Sequence, residues 1–458
     1  MSQSPDSISD KFRNDTESIK IASTDYGHIF KEIPDAVFQP TSPDDIKTLI
    51  KIVNDDANSG TDSPLSAIAP RGQGHSVRGQ AMARSGIVVN MTSLDSHGIG
   101  IKLVVSENSN NNWGPYVDVG GGQIWGDVLR ETLKHGLSPV SWTDYLYLSV
   151  GGTLSNAGIS GQTFKFGPQI SNIHELDVIT GKGDLVTCSR SNASELFHAV
   201  LGGLGQFGII TRARIALAPA PTRGPLDLSF YPVPDQLRIT ALVTQSGIVY
   251  VMELAKYYDQ STQNYEDKGL QVLLYLLNFV PGFAFKKDVT YFDFLNRVGS
   301  EETTLQGLGL WEIPHPWLNL FVPESRMSDF DSGVFRGILL EQKVPAGLVI
   351  VYPMNRNKWD VKTSAVIPDE DVFYTIGLLH SSSYSEWEAF DEVNRQILQF
   401  CHENGIKIKQ YFPHYETQQD WKDHFGTKWE HFQQMKTQFD PKKILSPDRK
   451  SSILCRAY

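Results

Sequence analysis

Ala69-Pro70-Arg71-Gly72-Gln73-Gly74-His75-Ser76-Val77-Arg78-Gly79-Gln80 packs three glycines, a histidine and several long polar side chains into twelve positions behind an apolar segment. Glycine admits backbone angles closed to other residues and lets a ligand approach the main chain closely. A bound phosphate needs both properties, because successive N–H groups must converge on it. His75 projects from the middle of the loop, a poor place for a core histidine. The stretch reads as a cofactor cradle whose histidine touches the cofactor.

Two more glycine-rich sites lie downstream. A strand over 116–119 runs into Gly120-Gly121-Gly122 and a helix over about 124–135, a backbone-donor site of the same type. The densest site follows Ser141-Trp142-Thr143-Asp144-Tyr145, where small residues and hydroxyls fill nearly every place in Ser149-Val150-Gly151-Gly152-Thr153-Leu154-Ser155-Asn156-Ala157-Gly158-Ile159-Ser160-Gly161. That composition predicts no good helix and suits a chain wrapped around a pyrophosphate, ribose or flavin ring. Gly203-Leu204-Gly205-Gln206-Phe207-Gly208 matches the dinucleotide fingerprint by letter only. The fingerprint needs a strand before it and a helix after it, and here a helix over 194–201 precedes and a strand over 209–216 follows.

At 458 residues the chain exceeds one compact core, so two domains are expected. A net charge of −11 speaks against nucleic acid as a partner. Three scattered cysteines, Cys188, Cys401 and Cys455, make neither a metal site nor a disulfide framework, so no metal is expected. Residues 1–20 lack the apolar core of a secretory signal, and the longest aliphatic run, 272–277, is far too short to span a membrane. As written the chain is expected in the cytoplasm, or in the apoplast if a leader has been removed.

Elsewhere, 25–27 and 36–40 read as short extended pieces. Ser42-Pro43-Asp44-Asp45 starts a helix with a cap, a proline at the first helical position and acids in the first turn. A strand is predicted over 86–91 and a hairpin over 175–187. Ala218-Pro219-Ala220-Pro221 marks a boundary. Beyond it strands are predicted over 248–254, 348–352 and 372–379, with helices over 265–277 and 384–402, and two aromatic-rich helical pieces lie within 421–447.

Gly72-Gln73-Gly74-His75-Ser76, Trp142-Thr143-Asp144-Tyr145-Leu146, the 151–158 run, 202–212 and His315-Pro316-Trp317-Leu318-Asn319-Leu320-Phe321 together resemble plant cytokinin oxidase/dehydrogenases, over about 22–446. Phe439-Asp440-Pro441 resembles the wider vanillyl-alcohol-oxidase-like flavoproteins. The resemblance implies an α+β, two-domain FAD-linked oxidase fold. Its FAD-binding domain, of the PCMH/vanillyl-alcohol-oxidase type, would cover 1–219, with 1–23 as a loose leader. An α+β substrate domain with an antiparallel sheet flanked by helices would cover 220–411, and 412–458 would return to the FAD-binding domain. It also implies FAD attached covalently through His75 and contacted by Gly72, Gln73, Gly74, Ser76, Gln80, Asp144, Ser149, Ser155, Ile159, Ile209, Tyr411 and Ser446. Asp144 would be the base that takes the substrate N–H proton as hydride leaves for flavin N5. Glu301, Val298, Trp317, Asn319, Leu378 and Phe412 would hold an isopentenyladenine- or zeatin-type substrate. The electron acceptor would be quinone-like or oxygen, and the protein a monomer without membrane or nucleic-acid partners.

Two departures stand out. Between Thr222 and Pro225 the family carries on the order of thirty more residues, enough for a strand, helix and strand. Ser446-Pro447-Asp448-Arg449 stands where SPGQ is usual. The alternatives are another covalent-FAD oxidase, acting on alcohols or sugars, and a shortened, weakly active flavin- or cytokinin-binding variant.

Overall fold

The computed structural model describes residues 8–56, 67–97, 100–104, 113–224, 233–342 and 348–446. Strands β1 (Phe12–Arg13), β2 (Ala36–Phe38), β3 (Ile68–Arg71) and β4 (Ile87–Asn90) form one sheet in the order β1-β2-β4-β3, its last three strands parallel. The helix Pro43–Asp56 crosses over between β2 and β3 and buries Ile46, Leu49, Ile50 and Val53 at helical spacing. Its start is capped as the sequence indicates, with the Asp45 N–H donating to Ser42 Oγ at 3.3 Å.

β5 (Ile101–Val104), β6 (Tyr116–Gly120), β7 (Leu137–Pro139), β8 (Ile173–Thr180), β9 (Leu185–Ser189) and β10 (Gly208–Pro219) make a second, antiparallel sheet organised on the long β10. Its inward residues, among them Val117, Val119, Leu176, Val178, Ala213 and Ile215, form the largest core with the helix Trp125–Leu133 and the aromatic helices Gln418–Phe425 and Trp429–Phe439. The rejected fingerprint is indeed reversed here: the helix Ser194–Val200 precedes it and β10 follows.

After Pro219 a two-stranded ribbon, β11 (Arg223–Gly224) with β12 (Val289–Thr290), leads to a four-stranded antiparallel sheet of β13 (Leu318–Pro323), β14 (Val349–Asn355), β15 (Val372–Leu378) and β16 (Lys409–Gln410), in the order β14-β15-β13-β16. The helix Trp387–Glu403 covers one face with Val393, Ile397 and Cys401. The C-terminal return then threads back. Ile444 and Leu445 pack with Ile8, Phe38 and Ile46, and the Ile68 N–H donates to the Ile444 carbonyl at 2.8 Å. Lys436 and Asp440 form a fully buried ion pair of 2.7 Å, and Asp440 also accepts the N–H groups of Ile444 and Leu445 at 3.0 Å each. Among the described residues no helix is long and apolar enough to cross a membrane.

Several expectations are corrected. The leader is not loose from Ile8 onward: Ile8 is 1% exposed, β1 pairs with β2, and Asp15 caps the helix Thr16–Ala22. Val150–Asn156 is a helix despite its glycines, because Val150 and Leu154 are fully buried and tertiary packing overrides propensity. Gly120-Gly121-Gly122 is no cofactor cradle. A Cβ on Gly121 would meet the Ile210 carbonyl at 2.0 Å, so the glycine serves close backbone packing. Residues 25–27 turn instead of extending. Residues 248–254 form no strand, having no ladder partner among the described residues. The shortened junction expected near Thr222 and Pro225 runs into 225–232, outside the described residues, as do 447–449 beyond Ser446.

Candidate active site

The loop after β3 is held from below by the turn at 24–28. Asp25 Oδ2 accepts from Ser76 Oγ (2.8 Å) and the Gly79 N–H (2.7 Å), while Arg71 donates to the Thr24 carbonyl at 2.7 Å. Burial pushes the Asp25 carboxyl up to about 6 and pulls the Arg71 guanidinium down; each charge partly offsets the other's shift. Gly72 is required by contact, since a Cβ there would lie 1.9 Å from Ser149 Oγ. That contact joins the loop to the start of the Val150–Asn156 helix.

His75 sits in an aromatic enclosure. Its ring stacks on Tyr26 (4.0 Å, 22°) and Tyr145 (4.8 Å, 28°), with Trp311 and Trp317 at 6.1 and 6.3 Å. Burial, with a smaller push from His315, lowers its imidazole to about 3, so the ring is uncharged at neutral pH and can act as a nucleophile.

Asp144, one residue before Tyr145, is half-buried. Arg297 from the helix Arg297–Gly307 donates to Oδ1 at 2.9 Å, and the Tyr352 hydroxyl on β14 donates to Oδ2 at 3.4 Å. Burial, reinforced by Asp144, keeps the Tyr352 hydroxyl protonated. Tyr145 donates to Glu302 at 2.5 Å. His75, Asp144, Tyr145, Arg297 and Tyr352 line a cleft of about 3110 Å³.

The cleft brings together most of the residues singled out from sequence. Gly72, Gln73, Gly74, His75, Ser76, Gln80, Asp144, Ser149, Ser155, Ile159, Tyr411 and Ser446 line it, as do Val298, Glu301, Trp317, Asn319 and Phe412. Two residues do not join them. Leu378 is fully buried in the core of the second domain with Leu318 and Val393; strand alternation turns Gly377 and Leu379 to the cleft instead. Ile209 packs its side chain with Ile179 and Ile50 in the N-terminal core.

Tyr26, Asp25, Arg297, Tyr352 and Glu302 were not singled out from sequence. Arg297 and Tyr352 lie 153 and 208 residues from Asp144, so no local pattern connects them. Tyr145 stands in the Trp142-Thr143-Asp144-Tyr145-Leu146 motif, directly after Asp144.

The site fits a flavin dinucleotide. Trp317 Nε1 and Asn319 Nδ2 are buried donors on the cleft wall with no acceptor among the described residues, which a ring carrying carbonyls and nitrogens would satisfy. The 149–161 segment adds hydroxyls and small residues along the cleft, and Ser446, bonded to Gln206 Oε1 at 2.8 Å, closes the far side.

Comparison with known proteins agrees. A family model described as an FAD binding domain matches residues 34–189, and one described as cytokinin dehydrogenase 1, FAD and cytokinin binding, matches 218–451. Cytokinin dehydrogenase 4 of Arabidopsis thaliana is 50% identical over 479 residues, covering 94% of this chain and 90% of that protein. Cytokinin dehydrogenase 7 of Oryza sativa subsp. japonica is 44% identical, covering 97% and 92%. A VAO-type flavoprotein from Myceliophthora thermophila superposes with a TM-score of 0.64 at 16% identity, over 90% of this chain and 79% of that one, a likeness of fold alone. The Arabidopsis alignment is longer than its share of this chain, since 94% of 458 residues is about 430; roughly 50 of the 479 aligned positions have no counterpart here. With both domains matched and relatives of this identity along nearly its whole length, the chain belongs to the cytokinin dehydrogenases, FAD-dependent enzymes that oxidise cytokinins.

Proposed function

We propose that the chain oxidises the secondary amine of N6-isoprenoid adenines, with FAD attached through His75 and Asp144 as the general base. The carrying observation is that Asp144, oriented by Arg297 and Tyr352, lines the same cleft as His75 and the unpartnered donors of Trp317 and Asn319. Bound FAD supplies the hydride acceptor. Asp144 takes the proton from the amine N–H as the α C–H bond breaks, general-base work contributing about 10²–10⁴-fold. The C–N bond becomes an imine, which water hydrolyses to adenine and an aldehyde. Val298, Glu301 and Phe412 flank the ring and side chain, and the electron pair leaves to a quinone-like acceptor or oxygen. The protein is proposed to act as a monomer.

Purified protein should be yellow, keep its colour through acid precipitation, and bleach without oxygen when isopentenyladenine is added. Bleaching with sugars or alcohols alone would select another oxidase of the superfamily. Asp144→Ala should keep the flavin and bleach at least about 10²-fold more slowly; an unchanged rate removes Asp144 as the base. A second reading, a weakly active variant, is favoured by one observation: the helix Gln263–Leu276 in the second domain has no fully buried residue. A normal bleaching rate would end it.

A further inference from the structure

The turn at 24–28 is tied to the His75 loop along its whole length. The Tyr26 N–H donates to the Gly74 carbonyl (2.9 Å) and the Gly27 N–H to the Ser76 carbonyl (3.1 Å), on either side of His75. Asp25, 1% exposed, anchors Ser76 and Gly79 from the same turn. The turn therefore delivers one ring, that of Tyr26, flat onto the face of His75 at 4.0 Å and 22°.

Tyr26 is itself backed. Its ring packs on His315 at 4.2 Å and 6°, and His315 is 2% exposed and fixed on three sides. Its N–H donates to the Gly27 carbonyl (2.8 Å), and its ring nitrogens meet Ser381 Oγ (2.9 Å) and the Trp311 carbonyl (3.1 Å). The three rings make a stack that runs from a rigid post in the second domain to the histidine of the first.

We propose that Tyr26 is a positioning residue that fixes the plane of the His75 imidazole for its bond to the flavin, a role that rests on the attachment proposed above. Attachment would exchange a C–H bond of a flavin methyl group for a C–N bond to the imidazole: the methyl carbon and the ring nitrogen each give up a proton, the electron pair of the C–H bond stays on the flavin, and the reduced flavin passes that pair to the oxygen or quinone-like acceptor named above. An imidazole on a loop turns about two side-chain torsions, and a bond from its nitrogen forms only when the in-plane lone pair faces the carbon it will join. Stacking between Tyr26 and Tyr145 removes rotation out of that plane before the cofactor arrives. Pre-orientation of this kind acts on the rate of attachment and not on the affinity for FAD.

The test reads attachment directly, in full-length wild type, Tyr26→Phe and Tyr26→Leu, as the rate at which added FAD becomes resistant to acid precipitation. Wild type and Tyr26→Phe, which keeps the stacked ring, should match. Tyr26→Leu should bind FAD and attach it roughly ten-fold or more slowly, with an unchanged dissociation constant for the unattached cofactor. Equal rates in wild type and Tyr26→Leu would overturn the positioning role while leaving attachment intact. A wild type that releases all its flavin would overturn attachment itself, and this role with it. Should Tyr26→Leu be insoluble, His315→Leu removes only the outer ring of the stack: slower attachment supports the role and a wild-type rate overturns it.

Discussion

Arg297 and Tyr352 donate to Asp144 with unequal strength, and the difference can be measured. The Arg297 contact is a charge-assisted bond of 2.9 Å, whereas Tyr352 reaches it at 3.4 Å, the outer limit of a hydrogen bond. Losing a hydrogen bond to a charged group costs about 1.5–3 kcal/mol. Arg297→Met should therefore lower the rate of anaerobic flavin reduction about 10–100-fold at unchanged flavin content, and Tyr352→Phe less than about five-fold; stopped-flow bleaching orders the two, and the reverse order would remove Arg297 from its orienting role. At this scale the sequence was legible wherever the chemistry was local. His75 and Asp144 stand inside short motifs of unusual composition. Arg297 and Tyr352 carry no such mark, because only the packing of the second domain on the first brings them to the carboxylate.

Elements were legible where period and burial agreed. The helix Pro43–Asp56 and the strand β15 follow their patterns, but the choice of which β15 residue faces the cleft needed the register, and Leu378 falls on the wrong side of a two-residue repeat. The helix Val150–Asn156 shows the opposite failure, with weak propensity overruled by the burial of Val150 and Leu154. Burial also writes a pH dependence into the helix Gln418–Phe425. His424 is pushed down to about 3, mainly by desolvation and further by Lys409. Between pH 6.5 and that value the unfolded chain takes up a proton that the folded chain refuses, so stability is complete above pH 6.5 and declines as pH falls, by up to about 1.4 kcal/mol per pH unit. His424→Gln should lose about 2–3 kcal/mol less than wild type between pH 6.5 and 4.5 in urea unfolding. Equal losses would show that His424 is not held neutral.

Across the whole molecule, the described surface is uneven. Tyr250, Met252, Tyr265, Val272, Tyr275 and Leu276 are all more than half exposed, Tyr275 at 89%, whereas in the first domain only Ile21 and Ile33 are so among the described large apolar residues. The chain is about 50 positions short of its Arabidopsis relative within the aligned span, and residues 248–254 have a strand's composition without a strand's partner. A sequence shows what each segment prefers, and that preference goes unused where, among the described residues, no strand pairs with it. Helices with so little buried area open at low free-energy cost. Limited proteolysis of the native protein should cut first within 233–288 and leave 113–219 intact, as peptide mapping by mass spectrometry would read; a first cut inside β8 or β10 contradicts that ranking.

The return of Ile444 and Leu445 into the same core as Ile8 and Phe38 has a temporal consequence. A ribosome releases the N-terminal sheet long before it makes the residues that complete that sheet's core, together with Ser446 on the cleft wall. The cofactor pocket therefore closes only once residues 444–446 have been made. Until then the β2–β4 sheet waits with one side of its core open, apolar surface exposed to aggregation before the pocket can take FAD.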